Sequence, residues 1–69
     1  MGIEKHIQVT GRSTVSWKDA IVKTLEEVAK SIEYINNLTI LEQRAKVTVD
    51  KMTEYYVDLD ITFMVDQSR

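Results

Sequence analysis

The chain has 69 residues, which is enough for one small domain whose own core is marginal. It has no cysteine and a single histidine, so disulfides and thiolate metal sites are excluded, and a zinc site within one chain is disfavoured. Oligomerisation is the remaining way to stabilise so small a domain. A net charge of −2, with acids and bases interspersed, argues against nucleic acid or a membrane surface as a partner.

The chain carries no targeting or membrane signal that we recognise. No apolar run approaches the ~20 residues that a membrane-spanning helix requires. The first residues, MGIEKHIQV, lack the apolar block that follows the basic start of a signal peptide. We therefore expect a soluble protein of the cytoplasm.

The first predicted element is a half-buried strand over EKHIQVT, residues 4–10. Ile7 and Val9 alternate onto one face, while His6, Gln8 and Thr10 alternate onto the other. Gly11 is then expected to open a turn. A lone histidine on a polar strand face is typical of a solvated or interface residue, although a functional role for it stays open.

A helix is predicted to start after Ser16, whose hydroxyl can cap the first turn while Asp19 reaches back towards the cap. Asparagine tolerates the left-handed conformation that ends helices, so Asn36 or Asn37 is the expected stop. Steps of three and four residues make one apolar stripe. The stripe consists of Trp17, Ile21, Leu25, Val28, Ile32 and Ile35.

Two strands are predicted after the helix, with a turn at 49–52 between them. In the first strand, LTILEQRAKVTV (38–49), Leu38 and Ile40 share a face that Glu42 and Arg44 continue. Either a bulge exchanges the two faces or both sides of the strand contact protein. These two alternatives stay open at this point.

The last strand, TEYYVDLDITFMV, alternates clearly over about 13 residues, or ~43 Å. A helix of ~20 residues covers only ~30 Å, so another subunit is expected to cover part of the sheet. The prediction is therefore one α+β domain over residues 1–69, with the order β-α-β-β and a three-stranded antiparallel sheet. The apolar face of the last strand contains Thr53, Tyr55, Val57, Leu59, Ile61, Phe63 and Val65.

The opposite face of that strand carries three carboxylates, Glu54, Asp58 and Asp60. Like charges two residues apart repel unless they are neutralised, and a hard cation such as calcium binds oxygen ligands of this kind. A lysine or arginine across an interface, such as Lys46 or Arg44, would neutralise them equally well, and simple solvation is a third alternative. These three acids are the metal-site candidates.

No catalytic constellation is present. The chain lacks cysteine and a glycine-rich phosphate loop, and its one histidine has no supported serine and aspartate partners. We therefore predict that the protein is not an enzyme.

The order and length of these elements, together with two segments, resemble the dodecin family. The segments are GRSTVSWKDAI, within which Ser13 to Ile21 is the most specific part, and the final DITFMV with its aromatic Phe63. The resemblance extends from about Ile3 to Val65. It implies three strands wrapped around one helix, and a hollow shell of twelve subunits in which many members store flavins without turnover.

The resemblance also indicates which positions would form a flavin pocket. In dodecins a tryptophan that opens the second long strand stacks on the flavin, and Asn37 stands at that position here. Tyr56 matches a glutamine that reaches the flavin ring, and Arg44-Ala45 matches an Arg-Gly pair. An amide cannot replace the stacking of an indole, so FMN or riboflavin is expected to bind weakly or not at all. A branch of the family without this tryptophan, part of it associated with calcium, is closer to this chain.

Two residues keep two interpretations each. Trp17 is either a displaced stacking residue or the first residue of the helix stripe. Arg44 holds either a nucleotide phosphate or a carboxylate of a neighbouring subunit.

The functional prediction is a homododecamer that binds or stores a small ligand, either a flavin or an ion such as calcium. The alternatives are a structural oligomer without a ligand and a module that binds another protein.

Overall fold

The computed structural model of the protein describes residues 2–66 and contains three strands and one helix. They are β1 (Gly2–Ser13), α1 (Trp17–Ala29), β2 (Ile35–Thr48) and β3 (Lys51–Asp66). The three strands form one sheet in the order β1-β3-β2, and both pairings are antiparallel. The predicted α+β fold with the order β-α-β-β is confirmed.

The helix lies on one face of the sheet, and the core lies between them. Ala20 of α1 is fully buried together with three alternate residues of the central strand, Val57, Leu59 and Ile61. The predicted alternation of the last strand is thus confirmed at its centre. The residues packed around this cluster are Ile7, Val9, Trp17, Ile21, Val28, Ile35 and Leu38.

The prediction that Gly11 opens a turn is wrong. Gly11 lies buried inside β1, which continues to Ser13. A Cβ atom on Gly11 would collide with the Thr24 hydroxyl and would lie 3.2 Å from the carbonyl oxygen of Ala20. The glycine therefore lets the helix approach the strand closely. Local sequence suggested a turn because glycine is common there, but here the tight packing of α1 requires it.

The predicted cap at the start of the helix is confirmed. The Ser16 hydroxyl accepts a hydrogen bond of 2.9 Å from the amide of Asp19. The Asp19 side chain does not reach back to the cap, however. It accepts from the Ser13 hydroxyl at 2.6 Å and pairs with Lys23 at 3.3 Å, which fastens the helix start to the end of β1. The Ser13 hydrogen bond is the main reason that the pKa of Asp19 lies below its usual value.

The helix ends earlier than predicted, at Ala29, and neither asparagine stops it. The left-handed residue at this junction is Tyr34, with φ 64°, and its carbonyl accepts from the amide of Met64 at 3.1 Å. Asn36 and Asn37 already belong to β2. Pairing of the start of β2 with the end of β3 thus outweighs the preference of asparagine for a helix stop.

A bulge at Leu41 explains the irregular alternation of β2, as the first of the two alternatives predicted. Ile40 lies opposite Leu59, whereas Glu42 lies opposite Asp58, so Leu41 is the additional residue. The bulge leaves Ile40 on the helix side and places Glu42 and the following alternate residues on the other side.

A two-residue turn, Val49-Asp50, connects β2 to β3, so the strand after it starts earlier than predicted. Both residues have positive φ, 50° and 62°, as the favoured hairpin turns require. Val49 is β-branched and 87% exposed, so nothing in its packing offsets the strain of this conformation.

Candidate functional site

The side of the sheet that faces away from α1, which we call the open face, carries all the candidate site residues. Since Ile61, Leu59 and Val57 point towards the helix, the even-numbered residues between them point away from it. Directly paired residues share a face, so Asn37 opposite Thr62 and Arg44 opposite Tyr56 lie there too. The candidates on the open face are Asn37, Arg44, Glu54, Tyr56, Asp58 and Asp60.

At the middle of the open face, three strands contribute to one polar cluster around Asp58. Arg44 of β2 donates to both carboxylate oxygens of Asp58, from Nη2 at 2.9 Å and from Nε at 3.2 Å. Thr10 of β1 donates to the same carboxylate at 2.8 Å. Arg44 first, and Thr10 next, hold the pKa of Asp58 below its usual value, and the carboxylate in turn raises the pKa of Arg44.

Next to this cluster, Tyr56 connects Arg44 to Glu54. The guanidinium of Arg44 lies 5.3 Å from the centre of the Tyr56 ring, within the range of a cation–π contact. The phenol donates to Glu54 at 2.7 Å, which raises the pKa of Tyr56. Arg12 of β1 approaches the same carboxylate at 3.9 Å.

Asp60 is held by the histidine of the first strand. The Nδ1 atom of His6 lies 3.0 Å from Asp60 and 3.1 Å from the hydroxyl of Thr62. Glu4 approaches the other ring nitrogen at 3.8 Å. His6 therefore lies on the polar side of β1, as its alternation predicts, in contact with the central strand.

The three acidic metal candidates share the open face, but each carboxylate has a separate partner there. Glu54 is bonded to Tyr56, Asp58 to Arg44, and Asp60 to His6. Within residues 2–66, no group of three acidic or histidine side chains lies close enough to hold a metal ion. For Asp58 the partner is an arginine, Arg44, but it lies in the same chain and not across an interface as expected. The metal set itself stays a prediction, which a second copy of the chain would have to complete.

The flavin-pocket candidates divide into two groups. Arg44 and Tyr56 contact each other across the β2–β3 pair. Asn37 pairs with Thr62, six positions further along β3 and thus roughly 20 Å away. Its side-chain oxygen accepts from the amide of Leu38 at 3.1 Å. One chain therefore does not bring the three residues together.

Trp17 occupies the position that the helix stripe predicts and has a further contact that the sequence does not suggest. Its ring meets Tyr55 edge-on, with centroids 5.0 Å apart, on the helix side of the sheet. Its indole nitrogen donates to the backbone carbonyl of Arg44 at 2.8 Å. The start of the helix thus holds the strand segment from which Arg44 projects.

Three residues of the open face were not among the sequence candidates, namely Thr10, Arg12 and Glu42. Glu42 lies beside Asp58, and both line an open depression of about 420 Å³ with Gln8 and Thr10. Alternation places Thr10 on a polar face, but its partnership with Asp58 depends on the pairing of β1 with β3. Only the sheet register, together with the bulge at Leu41, places these residues side by side.

Among the described residues, no helix is both long and apolar enough to cross a membrane. A search of curated proteins found no relative with significant similarity.

Several solved structures have the same fold. An arginine-to-alanine variant of the Thermus thermophilus dodecin matches with a TM-score of 0.90 at 20% identity, covering 99% of this chain and 100% of that chain. The dodecin of Streptomyces davaonensis gives 0.88 at 14% identity, covering 96% and 97%. A Mycobacterium tuberculosis antigen described as a calcium-chelating calcium dodecin gives 0.81 at 24% identity, covering 97% and 96%.

The family model for dodecins matches residues 3–66, which is nearly the whole chain and almost the same span as the similarity noted in the sequence. With the β-α-β-β fold and these structural matches, this places the chain in the dodecin family.

Proposed function

We propose that the protein forms a closed homododecamer that binds a small ligand without converting it. The observation that carries this proposal is the shape of the single chain, which measures 56 × 19 × 12 Å. Its radius of gyration is 14.5 Å, whereas a self-contained domain of this length has about 11 Å. A body so long and thin cannot enclose a core of its own along its whole length.

The lengths of the elements support the same proposal. The helix has 13 residues, or roughly 20 Å, whereas β3 has 16 residues and extends over roughly 53 Å. The uncovered part of the sheet has exposed apolar side chains on β2, with Ile40 at 47%, Leu41 at 50% and Val47 at 62%. Apolar surface of this kind is typical of subunit interfaces. Copies of the same chain are the partner that family membership supports.

A flavin is the first candidate ligand, with Asn37, Arg44 and Tyr56 as the residues that hold it. Because Asn37 lies far from the other two within one chain, the pocket requires a neighbouring copy. Asn37 offers no aromatic surface, so binding of riboflavin or FMN is expected to be weak. Stacking adds ~0.5–1.5 kcal/mol beyond the buried area, and each ~1.4 kcal/mol changes affinity tenfold.

Quenching of riboflavin fluorescence tests the role of Asn37. The wild-type protein should purify colourless and quench weakly, and Asn37→Trp should quench measurably more. Asn36→Trp is the matched control, because it adds the same indole at the neighbouring bulge residue, which has no direct partner on β3. Tight flavin binding by the wild type, or equal gains in both variants, would contradict the role of Asn37.

Calcium is the second candidate ligand, because one structural relative is described as a calcium dodecin. Glu54, Asp58 and Asp60 are the proposed ligands, completed by a neighbouring copy. If they bind the ion, Asp58→Asn with Asp60→Asn should remove most of the rise in melting temperature that calcium gives. An undiminished rise would place the ion elsewhere.

Native mass spectrometry of freshly purified protein tests the whole proposal, since it reports subunit number and retained ligand together. A dodecamer that retains an ion, or that takes up flavin weakly when it is added, is the expected species. A dodecamer that retains and takes up neither would indicate a purely structural oligomer. A monomer would instead favour a module that binds another protein.

A further inference from the structure

The guanidinium of Arg44 already has a ligand inside the chain. Two of its nitrogens, Nε and Nη2, donate to the two oxygens of Asp58 at 3.2 and 2.9 Å. This paired geometry is the one with which arginine binds a phosphate or a free carboxylate. Thr10 donates to Asp58 as well, at 2.8 Å. Asp58 thus occupies the place that an external anion would take on Arg44.

The surroundings of Arg44 make this contact more than an incidental surface ion pair. Its side chain is 46% exposed, so solutes reach it, whereas that of Asp58 is 25% exposed. The Tyr56 ring lies beneath the guanidinium, and Trp17 holds the backbone carbonyl of Arg44. Glu42, which pairs with Asp58 in the sheet, adds a second negative charge near Arg44. Arg44 is therefore fixed in place and accessible, but its charge is neutralised.

We infer that Asp58 acts as an internal ligand of Arg44, and that a phosphate-type anion binds to Arg44 only by displacing the Asp58 carboxylate. The inference rests on the proposed function, in which Arg44 is one of the ligand-holding residues. Asp58 then limits the affinity for anions, since displacing its carboxylate breaks the two hydrogen bonds with Arg44 and leaves the bound anion near a like charge. Ligands whose binding depends on other groups as well are favoured over simple anions.

Calorimetric titration of the assembled protein with inorganic pyrophosphate at low ionic strength tests this inference. Asp58→Asn removes the charge but keeps an oxygen that accepts from Thr10, and should bind pyrophosphate about tenfold more tightly than the wild type. Asp50→Asn is the matched control, because it removes the same charge at the exposed turn between β2 and β3, six positions along the chain from Arg44. Its affinity should stay within about twofold of the wild type. Adding Arg44→Gln to Asp58→Asn should abolish the gain.

Three results would overturn the inference: no pyrophosphate binding by Asp58→Asn, an affinity equal to that of the wild type, or equal gains in Asp58→Asn and Asp50→Asn. If Asp58→Asn does not assemble, Asp58→Ser removes the same charge and takes its place. A failure of the proposed function is distinguishable from a failure of this inference. A monomer in native mass spectrometry would refute the shell even if Asp58→Asn binds pyrophosphate more tightly. A dodecamer without the gain would refute only the role of Asp58.

Discussion

The two strands of the C-terminal hairpin are nearly equal in length but differ in how much of their surface the chain itself covers. β3 has a neighbouring strand on both sides and the helix over its centre, where Val57, Leu59 and Ile61 are completely buried. β2 is an edge strand with no fully buried residue, and Leu41 and Val47 are at least half exposed. The same chain therefore builds one strand as its core and another largely as surface.

This difference locates stability and assembly in different parts of the molecule. The unit formed by β1, α1 and β3 contains the buried cluster and the close packing at Gly11. β2 provides exposed apolar residues, the bulge at Leu41, and two of the three proposed flavin-pocket positions, Asn37 and Arg44. A strand of this kind is expected to obtain the rest of its contacts from other copies.

The largest expected effect comes from one substitution made on both strands. Leu59→Ala empties a fully buried position and should lower the free energy of unfolding by ~2–5 kcal/mol. Leu41→Ala makes the same chemical change at a half-exposed position and should instead shift the assembly towards smaller species on dilution. Denaturant titration and sedimentation measure the two effects. Equal losses of stability with unchanged assembly would remove the distinction between the strands.

The two glycines of β1 provide the second test. Gly11→Ala forces a methyl group against Thr24 and the helix backbone, and should cost ~1–3 kcal/mol in a thermal or denaturant melt. Gly2→Ala is the control, because its methyl group would meet the flexible end of Met64 at 2.9 Å and make an ordinary contact of 3.5 Å with the backbone oxygen of Val65. If both variants melt alike, the helix is not packed against β1 as closely as described.

The turn between the two strands gives a smaller effect of opposite sign. Val49→Asn places a residue that tolerates positive φ where valine is strained, and should raise the free energy of unfolding by ~1 kcal/mol. Val47→Asn, in the strand just before the turn, has no positive φ to relieve and should give no gain. A stabilised Val47→Asn or an unchanged Val49→Asn would contradict the strain at Val49.

The smallest effect is electrostatic and lies at the start of the helix. The pKa of Asp19 in the folded chain is below its ordinary value of 3.8, mainly because Ser13 donates to its carboxylate. The ionised Asp19 carboxylate therefore contributes its full stabilisation above pH 3.8, and this contribution is lost as the pH falls through the pKa of the folded state. At about pH 6 the wild type should have a higher melting temperature than Asp19→Asn, and this gap in melting temperature should close towards about pH 2. A gap that stays constant as the pH falls would contradict this role of Asp19.

The sequence predicted the fold because period and order are local properties of the chain. The alternation of β3 and the cap at Ser16 depend on residues close together in sequence, and both are confirmed. The end of the helix was predicted wrongly because pairing with β3, which lies far along the chain, determines where β2 starts. Gly11 was wrongly assigned to a turn for a similar reason. A glycine is required there by the close approach of Thr24, which is distant in the sequence.

The sequence predicted which face of the sheet carries the candidate site residues, but it did not predict the contacts that these residues make. Alternation placed Glu54, Asp58 and Asp60 together on one side, and the structure agrees. Their partners depend on the register of three strands, and the bulge at Leu41 is what places Arg44 beside Asp58. Periodicity explains Trp17 as part of the core-facing stripe but not its bond to the Arg44 carbonyl.

Sedimentation equilibrium at micromolar concentration shows whether other copies of the chain complete the surface of β2. We expect a single species of dodecameric mass, with smaller species appearing on dilution only for Leu41→Ala. If the wild-type chain sediments as a stable, folded monomer, the surface of β2 is not a subunit interface.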